Sequence, residues 1–155
     1  FNARIETVET SGAFKDALKT KRCLIPADGF YEWTINPGDK GRDPWHIFLP
    51  DNAPFSFAGL WAHNDKLGLT SCTIITMPAG EPMSQLHDRQ PVILDPEIYD
   101  AWLDPETPPS DAKQLLHENL DHDLEFHRVG RQVNTSSRTD KPNDIASMVE
   151  PVNPL

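Results

Sequence analysis

The chain has 155 residues, is 37% hydrophobic and sets 14 basic against 24 acidic side chains for a formal net charge of -10. That length suits one domain with a real core, and the charge excludes nucleic-acid binding through general basicity. No long apolar run, charged-then-apolar leader or lipidation signal is present, which favours a soluble, cytoplasmic chain over a membrane or secreted one.

In chain order, Ser11 is placed to cap a short helix whose stripe is Phe14, Ala17 and Leu18 and which ends near Thr20. Strand-like runs follow at residues 23–26, 29–34, 45–49, 55–62 and 69–76, separated by turns such as Asn36-Pro37-Gly38-Asp39 and His63-Asn64-Asp65. Asp95, with Pro96 behind it, starts a second helix carrying Ile98, Trp102 and Leu103. Ser110 caps a third, with Ala112, Leu115, Leu116 and Leu120 on one side. Residues 124–129 alternate as a late strand, and the polar stretch 135–143 reads as a flexible loop. The expectation is an α+β fold: a β-rich mixed sheet or barrel-like core with a few flanking short helices, in one domain over residues 1–155.

The charge is unevenly spread. Residues 95–125 hold ten carboxylates against Lys113 alone. Residues 1–22 carry Arg4, Lys15, Lys19, Lys21 and Arg22 against three acids, and residues 126–141 carry Arg128, Arg131, Arg138 and Lys141 against Asp140. Two basic surfaces are therefore compatible with the sequence, as is a plain scatter of solvated cations.

Three polar islands border apolar or strand-like sequence: Phe1-Asn2-Ala3-Arg4-Ile5-Glu6-Thr7, the run from Cys23 to Trp33, and Leu86-His87-Asp88-Arg89-Gln90-Pro91. Folding can bring Asn2, Arg4, Glu32 and His87 into one acid-base pocket. The strand period puts Glu32 on the face of Phe30, with Tyr31 and Trp33 opposite. A carboxylate there is either at a wet edge or in an apolar pocket that raises its pKa. Imidazole suits proton transfer at neutral pH; in the plainer reading His87 only bonds a carbonyl while Asp88 and Arg89 pair. Asn2 and Arg4 flank one alanine and point to the same side when extended. A guanidinium grips phosphate with paired hydrogen bonds, or in the plainer reading pairs with Glu6, and Asn2 is exposed to terminal fraying.

The islands, in this order, resemble the SOS response-associated peptidase (SRAP) family, whose members bind single-stranded DNA and trap abasic sites covalently through a cysteine that becomes N-terminal. The family pattern opens with Met-Cys-Gly-Arg before the Asn-Ala-Arg segment. That opening is not among these residues, so the expectation is a SRAP-like domain without its N-terminal segment and, alone, without the nucleophile. The resemblance makes Glu32, His87 and Asn2 catalytic, and Arg4 and Arg89 DNA-binding, with Trp45 or Trp61 as stacking platforms if they are not simply core. The implied activity is capture of abasic sites in single-stranded DNA as a thiazolidine, with self-removal of the initiator residue. It involves no cofactor, metal or membrane, leaves the oligomeric state open, and suits a cytoplasmic, in bacteria nucleoid-associated, protein. Gln90 stands where the family motif has methionine, a departure expected to touch packing more than chemistry.

Other chemistries fail on spacing. His117, His122 and His127 recur every five residues, which forms one face of neither a helix nor a strand. Cys23 and Cys72 lie far apart without metal, redox or disulfide-framework spacing, and Cys23 sits in an apolar run as a buried small residue. Two competing classes remain: a hydrolase or peptidase using Glu32 and His87 without nucleic acid, and a non-catalytic single-strand binder.

Overall fold

The computed structural model describes residues 2–135 and 144–152. It is α+β, with two open sheets and three short helices, and no closed barrel, among the described residues. The first sheet runs in the order β1 (Ala3–Arg4), β6 (Leu69–Pro78), β5 (Phe55–Asn64), β2 (Arg22–Ala27), with β7 (Arg89–Pro91) also on β6. The second is β3 (Phe30–Ile35), β4 (Arg42–Phe48), β8 (Glu125–Arg128), antiparallel throughout.

The expected strands are all present with shifted bounds: β2, β5 and β6 run longer, β3 is offset by one residue, β4 stops one residue short of Leu49, and β8 is one residue shorter at each end. β4 begins at Arg42, and β5 and β6 form a hairpin extending to Asn64 and Leu69, past the expected turn start at His63. The helix starts differ from expectation. α1 (Lys15–Thr20) is entered from Phe14 with no side-chain cap, because the Ser11 hydroxyl is spent on the Ala13 N–H in the preceding turn. α3 (Pro109–Leu115) starts at a proline, so Ser110 lies inside it and Leu120 beyond it. Asp95 does cap: its carboxylate accepts from the Glu97 N–H at 2.9 Å, opening a 3-10 turn that runs into α2 (Tyr99–Leu103). Trp102 is buried, whereas Leu103 is exposed. The loop expected at 135–143 falls, beyond Thr135, outside the described residues.

One core lies between the first sheet and the helices, around Leu18, Leu60, Ile75, Trp102 and Leu116. A second lies between the sheets, around Ile47, Phe55, Phe57, Met83, Ile93 and Leu124. Burial of such side chains contributes about 1.5–3 kcal/mol each. The strands β5 and β6 stay paired from the hairpin turn to Gly59 and Ile74 and then diverge. The segment 89–94 fills the wedge: Thr76 pairs with Pro91, Val92 accepts from Ala58 and donates to Ile75, and Leu94 donates to Ser56. No helix among the described residues is long and apolar enough to cross a membrane.

Candidate functional site

The wedge opens a cleft of about 500 Å³ at the edge of the inter-sheet core, floored by Phe30, Phe57, Ile74 and Pro91 and rimmed by Asn2, Arg4, Glu32, Thr76, His87, Arg89 and Gln90. Three distant stretches of chain supply the polar rim.

The first is β1. It pairs in parallel with β6, with Ala3 opposite Ile75 and Arg4 opposite Thr76, and the Ile5 N–H donates to Thr76 at 2.9 Å. Ala3 and Ile5 are buried, so the alternation turns Asn2 and Arg4 outward into the cleft. Asn2 directly precedes the paired strand.

The second is β3, where Phe30 joins the apolar floor and Glu32 follows on the same face, opposite Trp45 of β4. Burial pushes the Glu32 carboxyl above the usual carboxylate range, opposed by the positive charge His87 can carry and by a hydrogen bond from the Trp33 N–H. Gly29 precedes the strand because a Cβ there would run into the His46 ring and come 3.0 Å from the Ile47 carbonyl.

The third is the turn between β6 and β7. The 3-10 turn Met83–Gln85, with Met83 fully buried, aims His87 at the cleft, and the His87 N–H bonds back to Met83. The Arg89 N–H donates to His87 Nδ1 at 2.9 Å. The Arg89 carbonyl and the Asp88 carboxylate both lie 3.1 Å from the same nitrogen. The Arg89 N–H contact is made when Nδ1 is unprotonated and the two oxygen contacts when it carries a proton, so the turn has partners for both forms of the ring. Gln90 is 1% exposed; its amide oxygen accepts from the Gly80 N–H at 3.0 Å and its nitrogen donates to Asp121 at 2.7 Å, bracing the base of the turn.

Both plainer pairings of the rim charges are replaced. Asp88 lies beside His87 Nδ1 and not on Arg89, and Glu6 pairs with Arg89 instead of Arg4. Arg89 also donates to the Thr76 carbonyl at 2.8 Å and hydroxyl at 3.0 Å. The hydrogen bond from Arg89 leads in holding the Glu6 carboxyl below its usual range, with Arg4 contributing through its charge. Arg4 itself is exposed and has no ion-pair partner within 4.0 Å among the described residues.

The structure does not bring Trp45 or Trp61 to the cleft. The Trp45 indole donates to Thr34 and packs edge-on to Phe126, and Trp61 faces another hollow under the Lys21 ammonium. The two basic surfaces allowed by the sequence are partly neutralised: Arg128 and Arg131 meet Asp43 and Asp39, Lys19 meets Asp16, and Arg22 is buried. Arg138 and Lys141 lie outside the described residues. Neither cysteine lines the cleft; burial raises the Cys23 pKa, with a smaller push from Cys72, so the two sulfurs are neighbours in space although far apart in sequence. Among the described residues no group of three His, Cys, Asp or Glu could hold a metal ion.

The cleft in this α+β scaffold gathers an amide, a guanidinium without an ion-pair partner among the described residues, a half-buried carboxylate with a raised pKa and an imidazole. Residues 1–136 match the family described as SOS response associated peptidase (SRAP), and the chain belongs to that family. It is 40% identical to the abasic site processing protein YoqW of Bacillus subtilis over 94% of this chain and 66% of that protein. It is 33% identical to the abasic site processing protein HMCES of Xenopus tropicalis over 96% of this chain and 50% of that protein. The chain thus spans less than two thirds of these curated relatives. A solved structure from Bordetella bronchiseptica, a phage-related protein, is 35% identical with a TM-score of 0.70 over 83% of this chain and 63% of that one. A structure from Bacteroides thetaiotaomicron has a TM-score of 0.82 at 22% identity over 98% of this chain and 66% of that one, a likeness of fold.

Proposed function

We propose that the cleft is the DNA-processing site of an abasic-site capture protein acting on single-stranded DNA in the cytoplasm, nucleoid-associated in a bacterium. The carrying observation is the convergence of Asn2, Arg4, Glu32 and His87 on one cleft from three separate stretches of chain. The names of the relatives favour the same reading.

In the whole protein, an N-terminal cysteine of the family type attacks the aldehyde of the open abasic sugar. Its amine adds to the carbonyl carbon and water leaves, giving an imine; its thiolate then adds to that carbon, closing a thiazolidine. Glu32, held protonated more readily than a free glutamate, is suited to take and return the amine proton and to protonate the departing oxygen. Neutral His87 offers an Nε2 proton to the sugar ring oxygen as the ring opens. Asn2 orients the adduct and Arg4 grips the neighbouring phosphate. Such general acid-base steps contribute about 10²- to 10⁴-fold. A lesion in a single strand has no partner base to unpair. The same groups serve hydrolytic removal of the initiator residue.

The test is a denaturing gel of the full-length protein incubated with a single-stranded oligonucleotide carrying one abasic site. A heat-stable slow band that depends on the N-terminal cysteine supports capture. Salt-sensitive binding without a band makes the chain a non-catalytic binder, and no binding at all returns it to a hydrolase without nucleic acid.

A further inference from the structure

We propose that Glu6 is an affinity-setting residue that occupies Arg89 in the place of a phosphodiester, so that a strand entering the cleft must displace it. The inference rests on the single-stranded DNA reading and deepens it. Arg89 gives one terminal nitrogen to each Glu6 oxygen, the two-pronged geometry with which a guanidinium also holds a phosphate. The carboxylate lies on the outer side of the pair: the Glu6 side chain is 43% exposed and that of Arg89 19%. An incoming anion therefore reaches the guanidinium from the side Glu6 covers.

Two features make the exchange possible without collapse. Arg89 stays anchored from behind by the Thr76 carbonyl and hydroxyl, so its fork remains aimed at the cleft when the carboxylate leaves. Glu6 has no other ion-pair partner among the described residues and sits in a turn closed by the Thr7 N–H on Arg4, where its side chain is free to swing into water. The Glu6 side of the pair faces water, where solvent and salt weaken it enough for a polyanion to break it. Arg4, by contrast, needs no exchange. The cleft thus has one open cation and one covered cation, which keeps affinity for undamaged strand low.

The test compares the full-length protein with its E6Q, R89Q and E6Q/R89Q variants by fluorescence anisotropy on a labelled oligothymidylate without a lesion, over a range of salt. Thermal melts confirm that each variant is folded. E6Q is expected to bind about fivefold tighter and to steepen the slope of log K against log salt by about 0.7, the value of one more neutralised phosphate on a single strand. R89Q abolishes that gain in the double variant. Equal or weaker binding by E6Q, with an unchanged slope, overturns the inference and makes Glu6 a device that merely orients Arg89. A gain that survives in E6Q/R89Q also overturns it, because Glu6 then acts at long range. If neither parent nor variants bind at low salt, the single-stranded DNA reading itself fails and takes the inference with it.

Discussion

The backbone N–H of Arg89 lies 2.9 Å from His87 Nδ1, a hydrogen bond that the neutral Nε2–H tautomer accepts and that occupies Nδ1 at the turn, leaving Nε2 for a ligand. On protonation the Nδ1–H finds the Arg89 carbonyl and Asp88 as acceptors at the same 3.1 Å separation, so the ring changes charge without turning. Long-range ¹H–¹⁵N spectra should show an Nε2–H ring for neutral His87; an Nδ1–H ring would mean that Asp88 and the Arg89 carbonyl hold the proton instead.

Glu32 makes a pH-dependent prediction with a definite sign. Burial raises its pKa, so the folded state holds the proton more tightly than the unfolded chain does. Its contribution is fully present below the unfolded value of about 4.3 and is lost as the pH rises through the raised folded value. E32Q has no proton to lose. Its Tm should exceed the parent's at pH 7, with the difference closing towards pH 4; a lower Tm at pH 7 would contradict the account of a half-buried carboxyl with a raised pKa.

Gln90 and Asp121 form a buried couple, 1% and 6% exposed, joined at 2.7 Å. Replacing Gln90 with methionine strands the Gly80 N–H and removes the amide donor from Asp121, at about 2 kcal/mol. Urea unfolding of Q90M, D121L and the double variant should give a coupling of about 1 kcal/mol or more. Additive losses would show that the two side chains act independently.

Arg22 joins two helix ends to β2. Its guanidinium donates to Trp102 at 2.5 Å, to Leu18 at 2.6 Å, to Lys19 at 2.8 Å and to Asp104, all backbone carbonyls at the ends of α1 and α2. R22A leaves these carbonyls without their buried donor and should cost about 3 kcal/mol, a Tm drop of roughly 6–12 °C for a chain of this size. A shift within 2 °C of the parent, read by calorimetry, would mean water replaces the guanidinium.

The strands were legible because apolar alternation is local, and the facing of Phe30 and Glu32 against Tyr31 and Trp33 follows from the period of two alone. The gathering of Asn2, Arg4, Glu32 and His87 was legible only through the family resemblance, since no spacing in the chain states that residues 89–94 enter the wedge between β5 and β6. Ion pairing was the least legible. Glu6 and Arg89, or Asp43 and Arg131, meet across more than eighty residues, and Glu6 and Arg89 had nearer partners in Arg4 and Asp88 that geometry turned away. Ser11 and Ser110 had the composition of caps, but a competing turn and a proline at the first helical position moved both helix starts.

The most direct measurement is the single-turnover rate of crosslinking to a single-stranded abasic-site oligonucleotide for the full-length protein and its N2A, E32Q and H87A variants, with affinity for undamaged strand measured in parallel. The account predicts a fall of at least about tenfold in rate for E32Q and H87A, a smaller fall for N2A, and affinities close to the parent's. Unchanged rates in E32Q and H87A, with binding intact, would contradict it.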